Sequence, residues 1–172
     1  VIELKRILVP TDFSDTSVVA VQYAIALAES LGSTVHVLHV LDNPLAYAWG
    51  AEAFIEPPAD YYERIEERAR ERMDQVLSEA QRKKFDAQLV LRTGSPFAEI
   101  IEYAGEHAID LIVMGTHGRG AVAHMLLGSV AERVVRKASC PVLTVREPER
   151  PAPSDVEDPA SSEVEGRAEP ES

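Results

Sequence analysis

The sequence predicts an α/β fold: an open, doubly wound parallel sheet of five strands with helices on both faces. Three observations carry that expectation. Short apolar runs alternate with longer stretches whose apolar residues recur at helical spacing. The runs are continuously apolar rather than alternating, as strands covered on both faces must be. Capping and turn residues stand where one pattern gives way to the next.

The elements follow in order. RILVP (6–10) is a short apolar strand. Residues 14–31 place Val18, Val21, Ile25 and Ala28 on one helical face, with Ser14 as N-cap and Gly32 as the stop. TVHVLHVL (34–41) is β-branched and apolar, the second strand. Residues 42–58, with Tyr47 and Trp49, form a connection longer than usual, which points to function or mobility. Residues 59–84 read as one long helix with an apolar stripe through Tyr62, Ile65, Ala69, Met73, Val76 and Ala80. Its Glu and Arg residues are expected to face water and to pair at i,i+4, as Glu66 and Arg70 can. AQLVLRT (87–93) is the third strand, and Ser95 and Pro96 open a helix that turns Phe97, Ile100, Ile101 and Ala104 inward. IDLIVM (109–114), a helix over 129–138 and PVLTV (141–145) complete a domain placed at residues 1–147. The tail from 148 to 172 is rich in Pro, Ser and Glu and is expected to be disordered.

The formal net charge of −12 argues against nucleic acid as a partner, although the acidic tail supplies much of it. A single cysteine, Cys140, excludes an internal disulfide and a zinc cluster, and is expected to be a small buried thiol. No apolar run reaches bilayer length, and the opening VIELKRILVP holds no long apolar segment with a cleavage site. A soluble, cytoplasmic protein is the expectation. His36 and His39 lie on opposite faces of their strand and cannot share a metal; His117 stands in the glycine-rich loop after the fourth strand, where it either donates to an anion or faces solvent, and His107 and His124 have no evident partner. No protein metal site and no catalytic residue is assigned.

In such a sheet, ligands bind beyond the carboxyl ends of the strands. The segment after the fourth strand, GTHGRGAVAHMLLGSV (115–130), is the most informative. Gly115 stands where a side chain would block close approach. Gly118 and Gly120 free the backbone to form an anion-binding nest, and Arg119 adds a planar cation. Gly128 and Ser129 open a helix whose free N–H groups and dipole favour an anion. Two such elements around one loop suit a polyphosphate. Ordinary turns, and a capping box of Ser129 with Glu132, are the alternative explanation. A Walker A loop fails because no Lys follows Gly120 or Gly128; PTDFSD after the first strand is neither GxGxxG nor an SGGxDS-type loop. Arg92-Thr93-Gly94 lacks the acidic residue of a phospho-acceptor receiver.

These residues resemble the universal stress protein family. Its ATP-binding signature, G-x2-G-x9-G-[ST], is matched by Gly115, Gly118, Gly128 and Ser129. ILVPTDFSD, HVLHVLD, the GSP of 94–96, DLIVMGTHGRG and SCPVLTV resemble the family in order, over about residues 4–146. The resemblance implies a Rossmann-like, adenine-nucleotide α-hydrolase-type fold with strand order 3-2-1-4-5. It implies that Pro10, Thr11 and Asp12 contact adenine and ribose, with Asp12 also near a metal, and that the Val40 backbone reads the adenine edge. Met114 and Gly115 would line the floor, Gly118 and Arg119 the phosphate loop, and Gly128, Ser129 and Val130 the turn that holds the phosphates. The cofactor implied is ATP or another adenine nucleotide, with Mg2+ bound beside it because that cation favours carboxylate and phosphate oxygens together.

A homodimer through Val142, Leu143, Thr144 and Val145 of the last strand is also implied, and that run carries no charge to prevent edge pairing. Function is expected to be that of an ATP-binding regulatory or sensor module. A weak ATP hydrolase or phosphotransferase and a nucleotide-independent interaction protein are the alternatives.

Overall fold

The computed structural model describes residues 2–42, 60–116 and 127–146. Within these, the elements run β1 (Arg6–Pro10), α1 (Asp15–Leu31), β2 (Thr34–Leu41), α2 (Tyr61–Val76), α3 (Glu79–Lys84), β3 (Gln88–Thr93), α4 (Pro96–Glu106), β4 (Leu111–Gly115), α5 (Ser129–Lys137) and β5 (Val142–Val145). The strands form one sheet in the order β3-β2-β1-β4-β5, as expected, and every pairing is parallel. Of the tail expected beyond residue 147, nothing lies within the described residues; nor do residues 43–59, most of the long connection.

The side-chain period of two divides the core into two layers. In β1, Ile7 and Val9 face one side and Leu8 the other, and all three are fully buried. Ile7 and Val9 pack with Ala20 and Ala24 of α1, Met73 of α2 and Val113 of β4. Leu8 packs with Leu38, Ile100 and Tyr103 of α4, Ile112, and Val134 of α5. Continuous apolar strands are thus explained by helices on both faces.

α1 begins and ends as its sequence dictates. The Ser14 side chain accepts from the Ser17 N–H, and Gly32, at φ 69°, closes the helix with its N–H on the Ala28 carbonyl. Its buried face differs in detail from the expected one. Ser17, Ala20, Val21, Ala24 and Ala28 are buried, whereas Val18 is 49% exposed. Small residues supply most of the contact with the sheet, with Val21 the one larger side chain among them, and Val18 falls just outside that face.

The predicted helix over 59–84 is two helices. The chain is extended at Leu77 (φ −127°, ψ 138°), and Ser78 then caps α3 in a full capping box with Gln81. Leu77 is buried in the core at this break, while Tyr62 and Ala80, placed on the stripe by spacing alone, are exposed. The Glu66–Arg70 ion pair forms. At α4, Pro96 takes the first helical position, but the Ser95 side chain makes no capping bond. Cys140 is half-buried, and burial pushes its thiol pKa up, in keeping with an unreactive group.

Candidate functional site

β1 is shorter than β2, and that mismatch opens the site. Pro10 pairs with Leu38, and the Thr11 N–H donates to the Leu38 carbonyl at 2.8 Å; the chain then turns into α1. β2 continues to Leu41, whose carbonyl accepts from the Gly94 N–H on the β3 side at 3.0 Å. Backbone direction alternates along a strand. Val40 therefore shares the orientation of Leu38 and aims its N–H and C=O toward the side that β1 has vacated. A crevice of about 820 Å3 occupies this space, within the range of small-molecule sites.

The crevice gathers Pro10, Thr11, Asp12, Val40, Met114 and Gly115 at the strand ends. Gly128, Ser129 and Val130 bound it at the start of α5. Every expected site residue within the described chain thus lines one cavity. Gly118 and Arg119 lie outside the described residues, as do His117 and His124.

The start of α5 is open. Gly128 is the N-cap, no side chain among the described residues caps the helix, and the Gly128 N–H is taken by the Thr116 carbonyl at 2.7 Å. The N–H groups of Ser129, Val130 and Ala131 have no acceptor within the helix, by helix geometry. The alternative capping box of Ser129 with Glu132 is not formed. Ser129 is the first helical residue rather than the cap, and Glu132 pairs instead with Arg136 at 3.0 Å. By contrast, α1 and α3 carry side-chain caps.

Two expectations change in their physical reason. By its place at the strand end, Gly115 is expected to let a ligand come close. A Cβ there would instead meet Cγ2 of Thr16 at 2.9 Å, so what it admits is α1. The Asp12 carboxylate accepts from the Ser14 N–H at 3.0 Å and the Ser14 hydroxyl at 2.6 Å, so the residue builds the entry to α1 as well as lining the crevice. The Thr11 hydroxyl is likewise engaged, with the Ser17 hydroxyl and the Phe13 N–H, both at 3.0 Å.

Among the further residues of the crevice that spacing alone does not mark are Phe13, His39, Arg68 and Arg72. Phe13 adopts φ 63°, a left-handed conformation that costs a bulky residue about 1–3 kcal/mol. It is held there from both sides. The Arg72 guanidinium lies 4.3 Å over its ring and donates to its carbonyl at 3.3 Å, and the His39 ring stands 4.3 Å away. His39 Nδ1 donates to the Thr11 carbonyl at 2.7 Å. Both arginines are exposed, as expected of the charges of 59–84, and they line the crevice as well. Ile65, Arg68, Ala69 and Arg72 share the face of α2 that walls the crevice. The signal was present as an i,i+3,i+4,i+7 pattern, which interleaves the apolar stripe.

His36 and His39 do point to opposite faces. His36 shares a 2.8 Å hydrogen bond with the Tyr103 hydroxyl, and His107 finds a partner too, stacking on Tyr103 and donating to its carbonyl. Among the described residues no group of His, Cys, Asp and Glu has the arrangement of a metal site. No helix among them is long and apolar enough to cross a membrane.

Comparison with known proteins agrees with this architecture. The model of the universal stress protein family matches residues 3–146. Universal stress protein MJ0531 of Methanocaldococcus jannaschii is 36% identical over 151 residues, covering 85% of this chain and 84% of the relative. The solved structure of MJ0577, from the same organism, superposes with a TM-score of 0.71 at 29% identity, covering 87% of this chain and all (100%) of the other. A universal stress protein solved in complex with cAMP has a TM-score of 0.51 at 27% identity, covering 82% of this chain and 95% of the other. With a family match spanning almost all of the sheet and its helices, this chain belongs to the universal stress protein family.

Proposed function

We propose that the crevice binds an adenine nucleotide, ATP with Mg2+, and that the protein serves as a nucleotide-responsive regulatory module in the stress response. One observation carries the reading: a backbone edge at Val40 and a helix start at Ser129–Ala131, neither of them paired or capped among the described residues, open into the same cavity. The first offers a donor and an acceptor, the pattern that a purine edge requires. The second offers N–H groups and a dipole to an anion. The relative bound to cAMP supports an adenine nucleotide as the ligand class.

In this reading Pro10, Thr11 and Asp12 flank base and ribose, Met114 and Gly115 form the floor, and Gly128, Ser129 and Val130 hold phosphate. Gly118 and Arg119 would complete the phosphate loop. The Thr11 hydroxyl is spent within the protein, so its contribution is shape and backbone. Asp12 lines the cavity with a carboxylate, the donor type that Mg2+ shares with phosphate oxygens.

The test is equilibrium binding of ATP, ADP and AMP to the purified full chain, with mass spectrometry of nucleotide retained through purification. Saturable binding that weakens on Ser129→Pro, which removes one N–H while keeping the helix start permissible, is the expected result. Absence of affinity for all three nucleotides overturns the proposal.

A further inference from the structure

The α2 wall of the crevice contains an arginine with no polar partner among the described residues. Arg64 pairs with Asp60 at 3.5 Å, Arg70 pairs with Glu66, and Arg72 is committed to the ring and carbonyl of Phe13. Arg68 makes no hydrogen bond or ion pair with any other described residue. At i−4 and i+4 it meets Arg64 and Arg72, cations where a helix would favour carboxylates. Yet it lines the crevice, between Ile65 and the buried Ala69.

Its position on the helix indicates which part of a ligand it faces. α2 packs on β2 and β3, away from α5, which belongs to the opposite layer with Leu8, Ile112 and Met114. Arg72, one turn along, reaches the carbonyl of Phe13 just beyond β1. Arg68 therefore stands on the β1–β2 side of the crevice, the side of the open Val40 edge, and not beside the helix start that would take phosphate. A guanidinium is planar and weakly hydrated, and it stacks on flat π-systems. The same wall already does so once, where Arg72 covers Phe13.

We propose that Arg68 stacks its guanidinium on the purine whose edge meets the Val40 backbone, and so determines specificity for a flat base. This rests on the adenine-nucleotide reading above and adds to it a base-covering residue. A stacked base is worth about 1–3 kcal/mol in other proteins, and an exposed cation–π contact somewhat less. The contact does not depend on the phosphates, and it needs a plane as well as a charge.

The experiment measures the affinity of the full chain for adenosine, AMP and ATP in the wild type and in Arg68→Gln, Arg68→Lys and Arg70→Gln. The expected result is a loss of about fivefold for all three ligands in both Arg68 variants, since neither Gln nor Lys presents a guanidinium plane. Arg70→Gln removes the same charge from the far side of α2 and is expected to bind as the wild type does. A loss that grows from adenosine to ATP and is rescued by Arg68→Lys would make Arg68 a phosphate contact and overturn the proposal. Unchanged affinity in Arg68→Gln overturns it while leaving nucleotide binding intact. A wild type that binds none of the three ligands removes both readings together.

Discussion

His36 sits in the sheet as a base that burial keeps neutral. The residue is 8% exposed. Desolvation lowers its pKa from the ordinary 6.5, the His107 ring and the Arg6 guanidinium lower it further, and Asp86 opposes them weakly. The Tyr103 hydroxyl is its hydrogen-bond partner. A base with a depressed pKa in the folded state takes up its proton more readily once unfolded. Its contribution to stability is thus complete above pH 6.5 and declines as pH falls below that value. The slope cannot exceed about 1.4 kcal/mol per pH unit for one group. Urea unfolding at neutral pH and near pH 5 is expected to show this loss, and His36→Asn, which keeps a hydrogen-bonding group near Nδ1, to reduce it. An identical pH dependence in wild type and variant would assign the loss to other groups. Gly115 makes a different point at the same scale. Its place at the strand end is evident from DLIVMG, but its purpose is not, because the Thr16 methyl it accommodates is distant in sequence.

The break between α2 and α3 shows what an element-scale pattern can and cannot convey. Apolar spacing runs through residues 62–80 without interruption, so periodicity alone joins two helices into one. Ser78 and Gln81 nevertheless spell a capping box, a local signal of a new start. It prevails because Leu77 is buried where the helix breaks, and Arg82 folds back on the Leu77 carbonyl at 3.2 Å and on Asp74 at 3.1 Å. Ser78→Ala removes the hydroxyl that accepts from the Gln81 N–H, and is expected to cost about 1 kcal/mol of stability. A chemical-denaturation midpoint indistinguishable from wild type would mean that Leu77 and Arg82 hold the turn unaided. The strands and α1 were legible because continuous apolar runs, Ser14 and Gly32 all agree. The walls of the crevice were legible only in part. Strand-end residues announce themselves by position, whereas Arg68 and Arg72 become wall residues only when α2 is laid against the sheet.

At the scale of the whole molecule, the sheet has two edges and they are unequal. β3 carries Gln88 and Arg92, and Arg92 is held by Glu99 and Glu106 of α4, so charge stands along that border. β5 reads VLTV, pairs with β4 on one side, and leaves Leu143 37% exposed. A bare apolar edge is a template for another strand unless something covers it. A second copy of the chain, meeting β5 edge to edge about a two-fold axis, would satisfy both the backbone groups and Leu143. The crevice lies at the carboxyl ends of β1, β2 and β4, so this pairing leaves the residues at β1 and β2 unobstructed. Sedimentation at micromolar concentration is therefore expected to give a dimer. Leu143→Lys places a charge on the edge and is expected to shift the population toward monomer, with adenosine affinity unchanged. A wild type that sediments as a monomer at that concentration would leave β5 needing some other cover.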